Sequence, residues 1–322
     1  MSERVPASST AEWVALFRAA EAILPGDRSI YRDSDARLFV RDSKLRPLIA
    51  RPRIAQAGLA VLDAVTPGLA GQAFVRYRYF DELLARMLAD QLDQVVVLGA
   101  GYDATGLRLT RGAHQAMVYE VDERETQTRK RELLAGMDPR VLERTVFVEC
   151  DFARDSVAER LTSGGHSRDR RTLFSWLGVS WYLDAPAVDA FLAELASVAA
   201  PGSRIVFDYM HASALSGGAR PLGARLAARV VGLQGEPWTF GRAPDEAKDW
   251  LAGLGWTLTE NVRASELRDR YQRAHSGRLR AAADWVSVAE ADGTGRVRSS
   301  RRGPVIGIEN PPPHRPPTEE AR

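Results

Sequence analysis

Gln94-Val95-Val96-Val97-Leu98-Gly99-Ala100-Gly101-Tyr102-Asp103 is the stretch that decides how this chain folds. Its first half is an unbroken apolar block, the pattern of a central parallel strand buried on both faces. The block stops at Gly-Ala-Gly, where missing side chains let the backbone turn sharply and come close to a ligand. Arg78 lies 21 residues before Gly99 and Asp122 lies 21 residues after Gly101. A strand, a glycine turn and a later acidic residue together mark a nucleotide-type cofactor site.

Working outward, strand-like and helix-like segments alternate. Val118–Val121 reads as a second strand, followed by a charged helix closing at Gly136; Val146–Cys150 and Thr172–Leu177 are the third and fourth. A helix with Val188, Phe191, Leu192, Leu195 and Val198 on one face ends at Pro201-Gly202, before a fifth strand at Arg204–Tyr209. Such alternation predicts an α/β fold, a doubly wound and mostly parallel sheet. Upstream, Ser9-Thr10-Ala11-Glu12 is a capping box ahead of Trp13, Leu16, Phe17, Ala20 and Leu24 at helical spacing. A second helix, about 71–91, carries Phe80, Leu84, Met87 and Leu88 on one stripe. After Met210 the pattern changes: helices are expected at 219–233 and near 244–253, and closing strands at Trp256–Glu260 and Trp285–Ala289. The chain thus divides into an N-terminal helical cap (1–70), a main domain (71–290) with a lid insertion at 211–255 after the fifth strand, and a tail (291–322) whose arginine, glycine and proline content predicts disorder.

The 322 residues are 45% hydrophobic and 27% charged, an ordinary globular composition. The net charge of +2 gives no overall bias towards nucleic acid, and six arginines against four acids in 291–322 account for it. Cys150 is the only cysteine, so no internal disulfide or multi-cysteine metal site can form, and no metal is expected. No apolar run approaches the roughly 20 residues of a membrane span, and no signal-peptide core opens the chain. The expectation is a cytoplasmic protein without a membrane partner.

The glycine turn alone leaves the cofactor open. A dinucleotide fingerprint has a third glycine where this chain has Ala104, which the rule tolerates, so a nicotinamide-dependent oxidoreductase remains a reading. No Walker lysine follows, which excludes a triphosphate loop. Asp103 would repel a pyrophosphate but could face a cationic or hydroxyl-bearing ligand; it could equally cap a helix beginning at Ala104.

Arg76-Tyr77-Arg78-Tyr79-Phe80-Asp81, the strand and turn 94–103, Glu120-Val121-Asp122, Asp151-Phe152 and Gly178-Val179-Ser180-Trp181-Tyr182-Leu183 follow one another in an order that resembles leucine carboxyl methyltransferase-like proteins. The resemblance runs from about Ala11 to Ala289. It implies a class I methyltransferase-like (Rossmann-like) fold and S-adenosyl-L-methionine as cofactor. The bacterial branch looks like O-methyltransferases, several acting on polyketide-type natural products. By this resemblance Arg78 pairs with the cofactor's methionine carboxylate, Arg76 being the alternative, since a planar guanidinium grips a carboxylate with two hydrogen bonds. Gly99 and Gly101 line the cofactor. Asp122 holds the ribose hydroxyls, with Glu120 on the same face as its alternative, and Asp151 and Phe152 flank the adenine. The chain departs from the family twice. Trp176-Leu177-Gly178 stands where Ala-Glu-Gly is usual, so Leu177 replaces an acid facing the methionine amino group. Asp103-Ala104-Thr105 stands where Asp-Thr-Arg is usual. Asp103 is the candidate to compensate, and a non-methylating member with a repurposed pocket is the alternative function.

Methyl transfer from a sulfonium asks the protein mainly to align the reactants and exclude water. A carboxylate acceptor is ionised near neutral pH and needs no base, whereas a phenol, with a pKa of about 10, benefits from one. Among the five histidines, His211 alone follows a core strand's C-terminal end and is the candidate base; Tyr182 is the other candidate near the pocket. Arg220, Arg225 and Arg229 of the insertion suit either an anionic acceptor or a solvated helix face. Trp238 and Phe240 are expected to line an apolar pocket or to pin the insertion. The expected reaction is O-methylation of a small organic acceptor, a carboxylate before a phenol.

Overall fold

A computed structural model describes residues 9–40, 45–112, 114–215, 221–233 and 238–294. At its centre β1 (Gln94–Leu98) is buried along its whole length, and the reason is visible in its neighbours. Val95 and Val97 point into one apolar cluster with Phe74, Phe80 and Leu83, while Val96 and Leu98 point into another with Trp176, Phe191 and Leu192. A strand whose two faces are both covered has no polar face to show, hence the unbroken valines.

The remaining strands are β2 (Met117–Asp122), β3 (Thr145–Glu149), β4 (Thr172–Trp176), β5 (Arg204–His211), the two-residue β6 (Gly241–Arg242), β7 (Trp256–Arg263) and β8 (Val286–Gly293). Their order is β3-β2-β1-β4-β5-β8-β7, with β6 pairing to the end of β5. The first five run parallel, and β8 enters antiparallel between β5 and β7. The chain leaves β1 towards β2 and later returns to β1's other side as β4. Their C-terminal ends therefore flank the crevice where open α/β sheets bind ligands.

Before the sheet come α1 (Ser9–Ala22), α2 (Pro52–Val65) and α3 (Leu69–Ala89). The helix α2 was not expected from the sequence; Ile54, Val61 and Val65 stay exposed while Ala55 and Leu59 are buried. A turn of 113° separates α2 from α3, and Gly68, at φ 83°, makes it. One turn later, a Cβ on Gly71 would lie 2.0 Å from the Ala281 carbonyl oxygen, so α3 and the segment before β8 touch backbone to backbone. No single helix among the described residues is long and apolar enough to cross a membrane.

Between the strands lie α4 (Thr105–Arg111), α5 (Arg124–Leu134), α6 (Val157–Ser163) and α7 (Ala185–Val198). The region after β5 holds the two expected helices, with the strand running on further than expected. The strand continues through His211, so the insertion starts later than residue 211. Within it, α8 (Leu222–Leu233) buries Ala224 and Ala227 against Trp181, Met210 and Trp285, and Gly223 sits against Pro67. The next helix, α9 (Ala247–Gly253), covers the sheet, its Trp250 packing on Phe207, Tyr209 and Phe240. Finally α10 (Ala264–Gln272) joins β7 to β8 and packs on α3. The strand β8 extends to Gly293, past the expected start of the tail, and 295–322 lie outside the described residues.

Gly71→Ala has to push rigid backbone aside. Overpacking of this kind typically costs about 1–3 kcal/mol, so a lowered melting temperature with unchanged secondary structure by circular dichroism is expected. An unchanged melting temperature would show that the two segments separate freely.

Candidate cofactor and acceptor site

The turn after β1 is built on two left-handed glycines, Gly99 at φ 63° and Gly101 at φ 46°. A side chain on Gly99 would come within 2.4 Å of the Val179 methyl, and one on Gly101 within 3.3 Å of Ala11. The segment after β4 and the start of α1 therefore close over the turn. Asp122, at the end of β2, reaches across: its Oδ2 accepts the Gly101 N–H at 2.5 Å and its Oδ1 accepts the Glu123 N–H at 2.8 Å. Burial lifts this carboxyl above the ordinary aspartate range, against those two bonds. Its alternative, Glu120, is buried against the Lys130 ammonium at 2.6 Å and so committed within the core.

Asp103 is committed as well. Its Oδ1 accepts the Thr105 N–H at 2.6 Å, closing the turn into α4, and Arg18 of α1 lies 3.7 Å away. Burial alone would raise its pKa, but Arg18, Arg108 and Lys130 hold it below the usual carboxylate range. Arg18 is shared further, with Asp33 at 3.3 Å and with the Tyr102 carbonyl. Compensation for the family acid by Asp103 is thus limited, since the carboxylate already has partners. After β3, Asp151 Oδ1 accepts the Ala153 N–H at 2.9 Å, and Arg154 lies 3.6 Å from its other oxygen. Phe152 stands edge-on to Phe191 at 5.1 Å, partly buried. Cys150 is buried and its thiol is pushed up to about 12, chiefly by burial, which excludes it as a nucleophile near neutral pH.

The two arginines of α3 part company. Residues two apart on a helix of 3.6 residues per turn face opposite sides. Arg78 faces α10: its Nε donates to Glu82 at 3.0 Å and its guanidinium lies 4.0 Å from the Tyr271 ring. The structure thus places Arg78, the residue preferred from the sequence, against α10. Arg76 faces the sheet, where its Nη1 meets the buried Asp208 carboxylate of β5 at 2.7 Å. Its guanidinium sits 5.3 Å from the Tyr77 ring and 5.5 Å from that of Trp181. Asp208 Oδ1 in turn accepts the Gly178 N–H at 2.7 Å, and Gly178 (φ 81°) has room for no Cβ, which would meet Arg76 Nη2 at 2.6 Å. Beside it, Leu177 is buried in the core with Val95 and Leu173.

Arg76 and Gly178 also line a cavity of about 390 Å³ enclosed by α1, α2, α3, the 178–182 turn and Trp238. Its walls are mainly apolar, and Arg76 and Tyr182 are the only ionisable residues lining it among those described. Tyr182 therefore lies at the pocket. His211 does not: its ring is buried with Nε2 2.9 Å from Ser287 Oγ, and burial lowers its pKa. The structure thus places this candidate base against β8 and not among the residues lining the cavity. Phe240 packs on Trp250, away from the cavity; Arg225 and Arg229 are exposed on a solvated face, and Arg220 lies outside the described residues. No cluster of metal-ligating side chains occurs among the described residues.

A turn of left-handed glycines, a carboxylate at the end of β2 and a guanidinium lining a cavity suit a ribose-bearing, carboxylate-bearing ligand such as S-adenosyl-L-methionine. Among the described residues lining the cavity, no acid takes the place of Leu177. The family model described as leucine carboxyl methyltransferase matches residues 11–196, more than half of the chain. A Mycobacteroides abscessus protein provisionally named an S-adenosyl-L-methionine-dependent methyltransferase is 32% identical over 63% of this chain, the match spanning 66% of that relative. One so named from Mycolicibacterium smegmatis is 34% identical, and the chain spans 63% of its length. A third, from Mycobacterium avium, is 29% identical over 84% of this chain and 90% of its own. Among solved structures, a Streptomyces avermitilis protein described as of the DUF574 family superposes with a TM-score of 0.54 at 17% identity, covering 85% of this chain and 99% of that one. The last likeness carries the fold alone. The chain belongs to the leucine carboxyl methyltransferase family.

Proposed function

We propose that the protein transfers a methyl group from S-adenosyl-L-methionine to a carboxylate oxygen of a small organic acceptor, of the natural-product type expected from the sequence. The observation that carries the acceptor's chemistry is the lining of the cavity, where no aspartate, glutamate or histidine stands among the described residues. A phenol or alcohol would need a base to take its proton; a carboxylate needs none. When bound, the cofactor supplies a methyl group already activated by its sulfonium; the C–S electron pair stays on sulfur as the new C–O bond forms.

The chain's own residues bind, orient and exclude water. Asp122 holds the ribose hydroxyls, beside the turn that Gly99 and Gly101 form under Val179 and Ala11. Asp151 and Phe152 flank the base. Arg76, which lines the cavity, takes the methionine carboxylate. The cap, with α1 lying over the turn, keeps water from the reacting atoms. The buried Leu177 favours a second reading, a family member that binds the ligand without methylating. The two readings differ in whether a methyl group moves once both ligands are bound.

Arg76→Lys keeps a charge for Asp208 but loses the planar fork, and Asp122→Asn loses the ionised acceptor. Each is expected to weaken S-adenosylhomocysteine binding at least tenfold by calorimetric titration, while Arg78→Ala leaves it unchanged. Loss of affinity in Arg78→Ala alone would reverse the assignment. Binding without methyl transfer to any carboxylate would favour the second reading.

Because burial raises the Asp122 pKa and the ionised form binds, affinity for S-adenosylhomocysteine should fall as pH is lowered through a range above that of an ordinary aspartate. The same titration with Asp122→Asn should lack that step; its persistence would assign the proton elsewhere.

A further inference from the structure

Among the described residues the exposed large apolar side chains are Trp13, Ile54, Val61, Val65 and Leu222, each between 37% and 65% open to solvent. They are not scattered. Ile54, Val61 and Val65 stand at i, i+7 and i+11 on α2, and the exposed Ala57 and Ala64 stand at i+3 and i+10, so all five share one stripe along the helix. Trp13, Val61 and Val65 also line the cavity beneath, so the stripe borders its mouth. Leu222 opens α8, where a Cβ on Gly223 would meet the Pro67 carbonyl oxygen at 2.6 Å. That close approach sets Leu222 beside the end of α2. Single exposed apolar residues are ordinary, but a contiguous row around an opening marks an interaction surface.

The charges around this row give the partner's chemistry. Arg51 and Arg53 lie at the start of α2 beside Ile54, while Arg225 and Arg229 follow Leu222 at i+3 and i+7 and so share its face of α8; all four are exposed. Asp63 is the only acid in the sequences of α2 and α8, and it is paired with Arg280. An apolar row framed by guanidinium groups suits a surface that is anionic outside and apolar within. A bilayer carrying anionic lipids is such a surface: apolar side chains sink below the headgroups and arginines stay among the phosphates. Nucleic acid offers the phosphates without the apolar interior. A second copy of the face offers the apolar area but sets arginines against arginines.

We propose that α2 and the start of α8 dock on an anionic lipid surface, with Trp13, Ile54, Val61, Val65 and Leu222 entering it and the mouth of the cavity opening towards the bilayer. No spanning helix is needed, because a face lying in the interface buries its apolar side chains and leaves the rest of the protein in water. The sequence expectation of no membrane partner came from the lack of a long apolar run, which bears on spanning and not on docking. The inference goes beyond the methyl-transfer reading and does not depend on it. Joined to that reading, it lets an apolar acceptor pass from the bilayer into the cavity without crossing water.

The test is co-sedimentation of the full chain, without cofactor, with vesicles of phosphatidylcholine alone or of an equimolar mixture of phosphatidylcholine and phosphatidylglycerol. Partition onto the anionic vesicles is expected to be at least tenfold stronger than onto the neutral ones and to weaken as salt is raised. Two double variants divide the contributions: Val61→Gln with Val65→Gln removes apolar contact, and Arg225→Gln with Arg229→Gln removes charge. Each should weaken partition at least tenfold while leaving the melting temperature unchanged, since all four side chains are exposed. If one pair fails to fold, the other carries the test. Arg168→Gln with Arg170→Gln removes the same charge from the exposed loop before β4 and should change nothing. An equal loss there, or no loss in either test pair, overturns the assignment to this face. No binding to anionic vesicles, or equal binding to neutral ones, overturns the lipid surface. Concentration-dependent self-association that Val61→Gln with Val65→Gln abolishes, with no vesicle binding, gives the face to a second copy instead. All these outcomes are read without S-adenosylhomocysteine, so a failure here leaves the methyl-transfer reading standing, and a failure of that reading leaves the docking face in place.

Discussion

The ion pair between Arg76 and Asp208 ties the molecule's layers together. Arg76 belongs to α3, Asp208 to the fifth strand, and Gly178 to the turn after the fourth, so one pair of buried charges fixes three segments distant in sequence. Removing one partner of such a pair commonly costs about 3–5 kcal/mol, because the other charge is left unpaired in the interior. Replacing both by apolar groups is often tolerated, so stability alone gives little reason to keep them. What the pair does provide is alignment: the guanidinium is held at the base of the cavity between two aromatic rings, in one place and one orientation.

Around it, the cap and the sheet divide their work. The strands supply fixed ends, with Asp122 and the glycine turn at the termini of β2 and β1. The helices supply cover: α1 rests on Gly101, and α2 meets α3 at a sharp corner that leaves its own apolar side facing the cavity and the solvent. The insertion closes the remaining side through Trp238, whose neighbour Thr239 bonds to the carbonyls of Trp181 and Leu183.

Much of this was legible in the sequence. Five parallel strands could be read from apolar blocks because burial on both faces leaves no alternation to interpret. The glycine turn and Asp122 could be placed because their spacing is a property of strand, turn and strand. The choice between Arg76 and Arg78 could not be made that way: both sit on one helix, and only the helix's rotation against the sheet decides which faces inward. His211 misled for a related reason. A residue at the end of a strand faces the crevice only if the strand ends there, and pairing with β6 and β8 carries β5 through it. The helix α2 went unread although Ile54, Val61, Leu62 and Val65 recur at helical spacing, and Val61 and Val65 line the cavity while staying exposed.

Leu177 and Gly178 are adjacent, yet they are free to change to very different degrees. Any side chain at Gly178 would displace Arg76, and a shorter residue at position 76 would strand Asp208, so the three positions can drift only as a set, through intermediates that fold poorly. Leu177 merely fills apolar space, and a hydrophobic replacement there disturbs no other partner. An evolving lineage could therefore exchange the acid at 177 in one step while the architecture beside it stayed locked, separating the history of the pocket's chemistry from that of the scaffold.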